Sequence, residues 1–196
     1  MTSKADLLGY GMGESLLLEI AQKLDRGEEL STLRKLRGVA YLLGKNEELA
    51  EMGFGGASGD ETIELPSFEE VKTNARAFAE MTRQFHHETN PANAHRLVQR
   101  HGDRLLVVNP PSLPLGESEM DRIHELPYTR DPHPDYHAAP PAWETIKDSV
   151  QIMRGCFGGC TFCSITMHQG RVIQNRSETS ILNEVEKLGA DPEFKG

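Results

Sequence analysis

Apolar residues recur along this chain with two periods, and they divide it into short elements. Leu17, Ile20, Ala21 and Leu24 fall at helical spacing, with Gly27 as a C-terminal stop. Gly9, Gly11 and Gly13 form a loop ahead of that helix. Only Leu7 and Leu8 precede the loop, so the chain is expected to begin after the strand that would feed it. A short helix carrying Leu33 and Leu36 should lead into a buried strand, Val39 to Leu43. Ser67 and Glu70 have the spacing of a capping box, in which each side chain satisfies a backbone N–H that the first turn leaves free. The stripe Phe68, Val71, Ala75, Phe78 and Phe85 then predicts one helix to about His87.

The pattern next predicts a short helix over Ala92 to Arg100 and a strand from Leu105 to Val108, ended by Pro110 and Pro111. A helix from about Glu117 to Glu125 should point Met120 and Ile123 inward. Five of the eleven prolines lie in 127–142, which reads as an extended connection and the main domain boundary. Beyond it, Ser149 to Met153 is expected to be a strand. Arg154 to about Gly170 is expected to be a Gly- and Cys-rich loop. Ser177 should cap a helix with Ile181, Leu182, Val185 and Leu188 on one face and Gly189 at its end. Strand, loop and helix in that order are the opening unit of an α/β domain. One such unit cannot bury its own apolar face, so the chain is expected to be truncated at both ends. Segment 44–62 is Gly-, Glu- and Asn-rich and reads as an exposed linker, with Asn46 to Glu51 as solvated surface.

Composition sharpens this picture. Of 196 residues, 37% are hydrophobic and 6% aromatic, a low apolar share that favours loops and linkers over one dense core. Thirty acidic against 21 basic residues give a formal charge of −9, which argues against broad nucleic-acid binding. No run approaches 18 apolar residues, so no membrane span is expected. Met1 to Asp6 lacks the charged-then-apolar layout of a signal peptide, and a cytoplasmic location is expected.

The chemistry concentrates in the three cysteines. Cys156, Cys160 and Cys163 stand as C-x3-C-x2-C within eight residues, an odd number too close together for a disulfide framework. Thiolates are soft ligands for iron–sulfur clusters and for zinc. A [4Fe–4S] cube normally takes four cysteines, so three in one loop would hold three irons and leave the fourth open to a substrate or cofactor. Gly155, Gly158 and Gly159 let the backbone curl close to the sulfurs and aim N–H groups at them. The competing reading is a non-catalytic zinc module, with His168 completing a Cys3His site. An electron-transfer iron–sulfur protein is disfavoured by the missing fourth cysteine.

The other signals are weaker. Gly9 to Glu14 could cradle a phosphate or a cobalamin-like tail, or be a plain turn. His86 and His87 could ligate a metal or move protons, but neighbours on a helix face different ways. Arg154 and Arg171 could balance the charge of a thiolate-bound cluster or sit in surface ion pairs.

The cysteine loop, with Phe162 directly before the third cysteine, resembles the signature of the radical S-adenosylmethionine (SAM) superfamily. The stretches Ile152 to Thr166 and His168 to Ser177 narrow the resemblance to the YgiQ family. So do Leu65-Pro-Ser-Phe-Glu, His86-His-Glu-Thr-Asn-Pro91, His101-Gly-Asp-Arg, Asn109-Pro-Pro and Leu126-Pro-Tyr. The resemblance implies that Cys156, Cys160 and Cys163 ligate a [4Fe–4S] cluster whose open iron takes the amino and carboxylate groups of SAM. Reductive cleavage would yield a 5′-deoxyadenosyl radical that abstracts hydrogen from a substrate the sequence does not identify. Phe162 would be a cofactor-binding residue beside the cluster and adenine. An external donor of flavodoxin or ferredoxin type would supply electrons.

The resemblance also implies a fold class, α/β. Residues 1–43 would end a Rossmann-like N-terminal region, 44–62 would be the linker, and 63–142 the rest of that region with the Pro-rich connection. Residues 143–196 would open a radical SAM (β/α) partial barrel. The chain alone, lacking later barrel strands, is expected to be inactive.

Overall fold

The computed structural model describes residues 5–49, 61–160, 162–192 and 194. In chain order the elements are β1 (Leu8–Gly9), α1 (Glu14–Asp25), α2 (Leu30–Leu33), β2 (Val39–Leu43), β3 (Thr62–Leu65), α3 (Phe68–Thr73), α4 (Ala75–His87), β4 (Arg96–His101) and β5 (Arg104–Val108). There follow α5 (Glu117–His124), α6 (Trp143–Ile146), β6 (Met153–Arg154), α7 (Ile165–His168), β7 (Gln174–Asn175) and α8 (Glu178–Gly189). The chain is a mixed α/β protein that divides into two compact units. One comprises 1–114 with 155–172, and the other 115–154 with 173–196.

The first unit is built on a five-stranded sheet of order β1-β2-β5-β4-β3. Its pairs are antiparallel except β3 with β4, so the sheet is mostly antiparallel. Leu16 of α1 packs with Val39, Tyr41 and Leu43 of β2, Val98 of β4 and Val107 of β5 to form the core. Four of the five β2 residues are buried, which explains the unbroken apolar run Val-Ala-Tyr-Leu-Leu in place of an alternating one. The Asn109-Pro110-Pro111 motif is tied to the turn before β2. The buried Asn109 donates from Nδ2 to the carbonyls of Arg34 (2.8 Å) and Leu36 (2.6 Å), and accepts from the Tyr10 hydroxyl at its own carbonyl. Burial pushes the Tyr10 phenol well above its usual range, against the lowering effect of Arg37.

Three expectations need correcting here. The helix expected over Ala92 to Arg100 is instead β4, which pairs with β5 through His101↔Arg104 across a turn containing Gly102 at φ +59°. Pairing with strands on both sides outweighs the weak local helical spacing. The single helix after Ser67 is two. The Ser67–Glu70 capping box opens α3, and Asn74 at φ −128° breaks the run and caps α4 from its side chain, at 2.9 Å to the N–H of Arg76. The last residue of the expected linker, Thr62, instead opens an unannounced strand, β3, which pairs with β4 by Ile63↔Leu97. The heart of that linker, 50–60, lies outside the described residues. A two-residue strand, β1, precedes the glycine loop.

In the second unit, α5 places Met120 and Ile123 inward, where they form a small core with Leu115. The strand expected at Ser149 to Met153 is shorter and later. It is β6, and it pairs antiparallel with β7 through Met153↔Asn175. Ser177 caps α8 by accepting the Ser180 N–H at 3.1 Å. The Arg176 side chain is fully buried, and its guanidinium donates to Glu184, to the Gln151 carbonyl (3.0 Å) and to Ser180. Glu184 also pairs with Arg130, whose backbone sits at φ +60° and whose guanidinium reaches the Lys147 and Ser149 carbonyls.

Candidate functional site

The cysteine loop, 155–172, belongs to the first unit and is closed at its base. Gly155 donates from its N–H to Gln169 Oε1 at 3.2 Å, and Cys156 donates from its N–H to the Gly170 carbonyl at 3.1 Å. The closure needs glycine. Gly155 has φ +88°, and a Cβ there would lie 2.3 Å from the Val172 carbonyl oxygen. Gly170, at the other end of the closure, has φ +85°. Within the loop the Gly158 N–H points at Cys156 Sγ (3.4 Å), and Cys163 donates from its N–H to the Cys160 carbonyl (3.2 Å).

All three cysteines are free thiols. Cys160 is exposed, and Cys156 and Cys163 are half-buried. Among the described residues, no group of three or more His, Cys, Asp or Glu is gathered closely enough to hold a metal ion. The chemistry of the donor set nevertheless fits a thiolate-ligated iron–sulfur cluster: three free thiols on one loop, one already receiving a backbone N–H. Phe162 is 90% exposed and Phe157 82%, so two aromatic faces flank the thiols without protein packed over them.

After the third cysteine, α7 turns the chain back onto the first unit. Thr166 is buried, and Met167 enters an apolar cavity of about 310 Å³ between α4 and the sheet, beside Met81, Phe85 and Leu97. Arg171 donates from Nε to Thr89 Oγ1 at 3.2 Å and from Nη2 to His86 Nε2. Among the described residues Arg171 makes no ion pair with a carboxylate. It bonds the end of α4. His86 is therefore drawn to the cysteine loop as the acceptor for Arg171, while His87 and His168 are exposed. No sequence pattern marks Met167, and Thr89 stands out only as part of the His86 to Pro91 stretch. Their part depends on a contact between segments some 80 residues apart.

The glycine loop of 9–13 also meets the cysteine loop. Gly11, at φ +77°, leaves its Cβ position 3.5 Å from the His168 carbonyl oxygen. Next to it lies a cavity of about 580 Å³, walled by Leu7, Leu16, Leu17, Ile20 and the glycines. Arg154 is buried in the second unit and donates to Gln151 Oε1 at 3.5 Å.

Comparison with known proteins gives these features a class. Residues 1–149 match the radical SAM N-terminal family. A UPF0313 protein of Rhodopseudomonas palustris is 50% identical over 206 residues, covering 99% of this chain and 30% of the relative. A UPF0313 protein of Geobacter sulfurreducens is 47% identical, covering 100% and 31%. The UPF0313 protein YgiQ of Escherichia coli K12 is 40% identical over 236 residues, covering 95% and 31%. No solved structure matches. The chain belongs to the UPF0313 (YgiQ) family, within the radical SAM class. It spans about a third of the length of these relatives, whose names state no reaction.

Proposed function

We propose that this chain carries the cluster-binding loop of a radical SAM enzyme, with Cys156, Cys160 and Cys163 as the ligands of a [4Fe–4S] cluster. The supporting observation is the loop itself: three free thiols on one hairpin-like segment, closed at its base by Cys156 and Gly170, in a chain of radical SAM kinship. When bound, the cluster supplies the electron for reductive cleavage of SAM. The chain's own residues prepare for it in three ways. The Gly158 N–H donates toward Cys156 Sγ and fixes the direction of that side chain. Gly155 lets the loop close without a clash. Phe162, exposed beside Cys163, offers an aromatic face to the adenine of SAM.

On this reading residues 1–43 and 63–142 form the N-terminal region, 44–62 links them, and 143–196 opens the catalytic domain. Within 143–196, β6, the cysteine loop and α8 stand for the first βα unit of a partial barrel. The assignment of 1–43 to the end of a Rossmann-like region belongs to the same proposal. The enzyme works in the cytoplasm with a flavodoxin- or ferredoxin-type donor. Among the described residues no helix is long and apolar enough to cross a membrane.

A barrel builds its site from the C-terminal ends of several strands, so this chain should cleave SAM slowly and without coupling to substrate. The test is to reconstitute this chain and a C-terminally extended one anaerobically, reduce both with dithionite in the presence of SAM, and measure 5′-deoxyadenosine. Production by the extended chain well above that of the short one supports the proposal. Absence of 5′-deoxyadenosine from both, with the cluster in place, overturns it.

A further inference from the structure

We infer that Arg171 and Met167 are positioning residues for the cysteine ligands, and that the end of α4 is the clamp they engage. This rests on the reading of the cysteines as cluster ligands. The physical chain is short. The His86 ring and the Thr89 hydroxyl hold the Arg171 guanidinium, and Thr89 is itself fixed by donating from Oγ1 to the His86 carbonyl at 2.8 Å. The residue before Arg171 is Gly170, whose carbonyl takes the Cys156 N–H at 3.1 Å. Two residues before Gln169, whose side chain accepts the Gly155 N–H, Met167 lines the apolar cavity beside Met81 and Phe85, on the same helix as His86. An apolar contact and a charge-assisted pair thus hold the returning limb of the loop at one helix. That limb supplies both acceptors that close the loop at Gly155 and Cys156.

The geometry also sets the direction of the effect. A guanidinium can only donate, so His86 Nε2 is the acceptor in this pair. The clamp reaches Cys156 through one hydrogen bond. Cys160, exposed at the far end of the loop, has no such tie to α4 among the described residues. Loosening the clamp should therefore free Cys156 while leaving Cys160 as reactive as before. General unfolding would instead expose all three thiols alike. An acceptor at position 86 should be sufficient, because Arg171 needs a lone pair there and not a titrating ring.

The test is site-resolved alkylation of the metal-free chain with iodoacetamide, read by peptide mass spectrometry, for wild type, Arg171→Ala, Met167→Ala, His86→Ala and His86→Gln. Loss of one net hydrogen bond corresponds to roughly a five-fold change in local opening. Arg171→Ala and His86→Ala should speed labelling of Cys156 by about that factor, with Cys160 unchanged. His86→Gln should restore protection, and Met167→Ala should act in the same direction as Arg171→Ala. Equal acceleration at all three cysteines, or none at Cys156, overturns the inference. Iron uptake by the wild-type chain is measured in parallel. Its absence counts against the cluster reading, whereas the labelling pattern alone decides the clamp.

Discussion

Gly155→Ala is the substitution that most directly probes why the cysteine loop has its shape. At φ +88° an alanine is strained by about 1–2 kcal/mol relative to glycine. Its Cβ would also stand 2.3 Å from the Val172 carbonyl oxygen and 3.1 Å from the carbonyl carbon, both backbone atoms that no rotamer change can remove. Relief requires the two limbs of the loop to part. Parting them breaks the Gly155 to Gln169 and Cys156 to Gly170 hydrogen bonds, each worth about 0.5–1.5 kcal/mol net. The sum is roughly 2–5 kcal/mol, paid by local opening of the loop and not by the sheet. Hydrogen exchange at the Cys156 amide should therefore accelerate by about 30-fold or more, at 1.4 kcal/mol per factor of ten. Amides of β2 and β5 should be unaffected. Gly159→Ala is the control. Nothing lies within 4 Å of its Cβ position and its φ is not left-handed, so exchange at Cys156 should match wild type. Unchanged Cys156 exchange in Gly155→Ala, or an equal effect from Gly159→Ala, would refute the account of the closed loop.

Arg176→Ala should destabilise the second unit by about 1–3 kcal/mol, because it removes a fully buried guanidinium and leaves the Gln151 and Ser180 carbonyls without its hydrogen bonds, while Glu184 keeps its pairing with Arg130; chemical denaturation monitored by Trp143 fluorescence would register it. Ser67→Ala should cost about 1 kcal/mol through loss of the capping box, measured by urea unfolding, with Ser67→Thr nearly neutral. Hydrogen bonding from Ser177, its hydroxyl foremost, holds the Asp121 carboxyl below the usual range. That contribution is present above the unfolded carboxylate pKa and fades as pH falls through the lower folded value. Thermal melts of Asp121→Asn and wild type should therefore converge at strongly acidic pH and separate toward neutrality.

How much of this was legible in the sequence depended on the range of the interactions involved. Local signals were faithful. Val39 to Leu43 is the strand its apolar run announces. Ser67 with Glu70 forms the capping box that its spacing foretells, and Ser177 caps α8 as expected. Met120 and Ile123 face inward as the helical period requires. The misreadings arose where a distant partner decides. Residues 96–101 carry a marginal helical period, but Gly102-Asp103 between two apolar runs was an available hairpin signal, and β3 and β5 hold them as a strand. Asn74, a strong N-cap residue inside a helical stripe, was the cue to the break between α3 and α4. At the candidate site the three cysteines were legible from spacing alone. The engagement of Arg171 with His86 and Thr89 was not, because it joins positions more than 80 apart and leaves no periodic trace.

The most direct test of the central claim is the iron and acid-labile sulfide content of this chain after anaerobic reconstitution, compared with Cys160→Ala prepared in parallel. The account predicts about four irons and four sulfides per wild-type chain, with brown thiolate-to-iron absorbance, and loss of both in the variant. Stoichiometric zinc without iron in the wild type, or full iron content retained by Cys160→Ala, would contradict it.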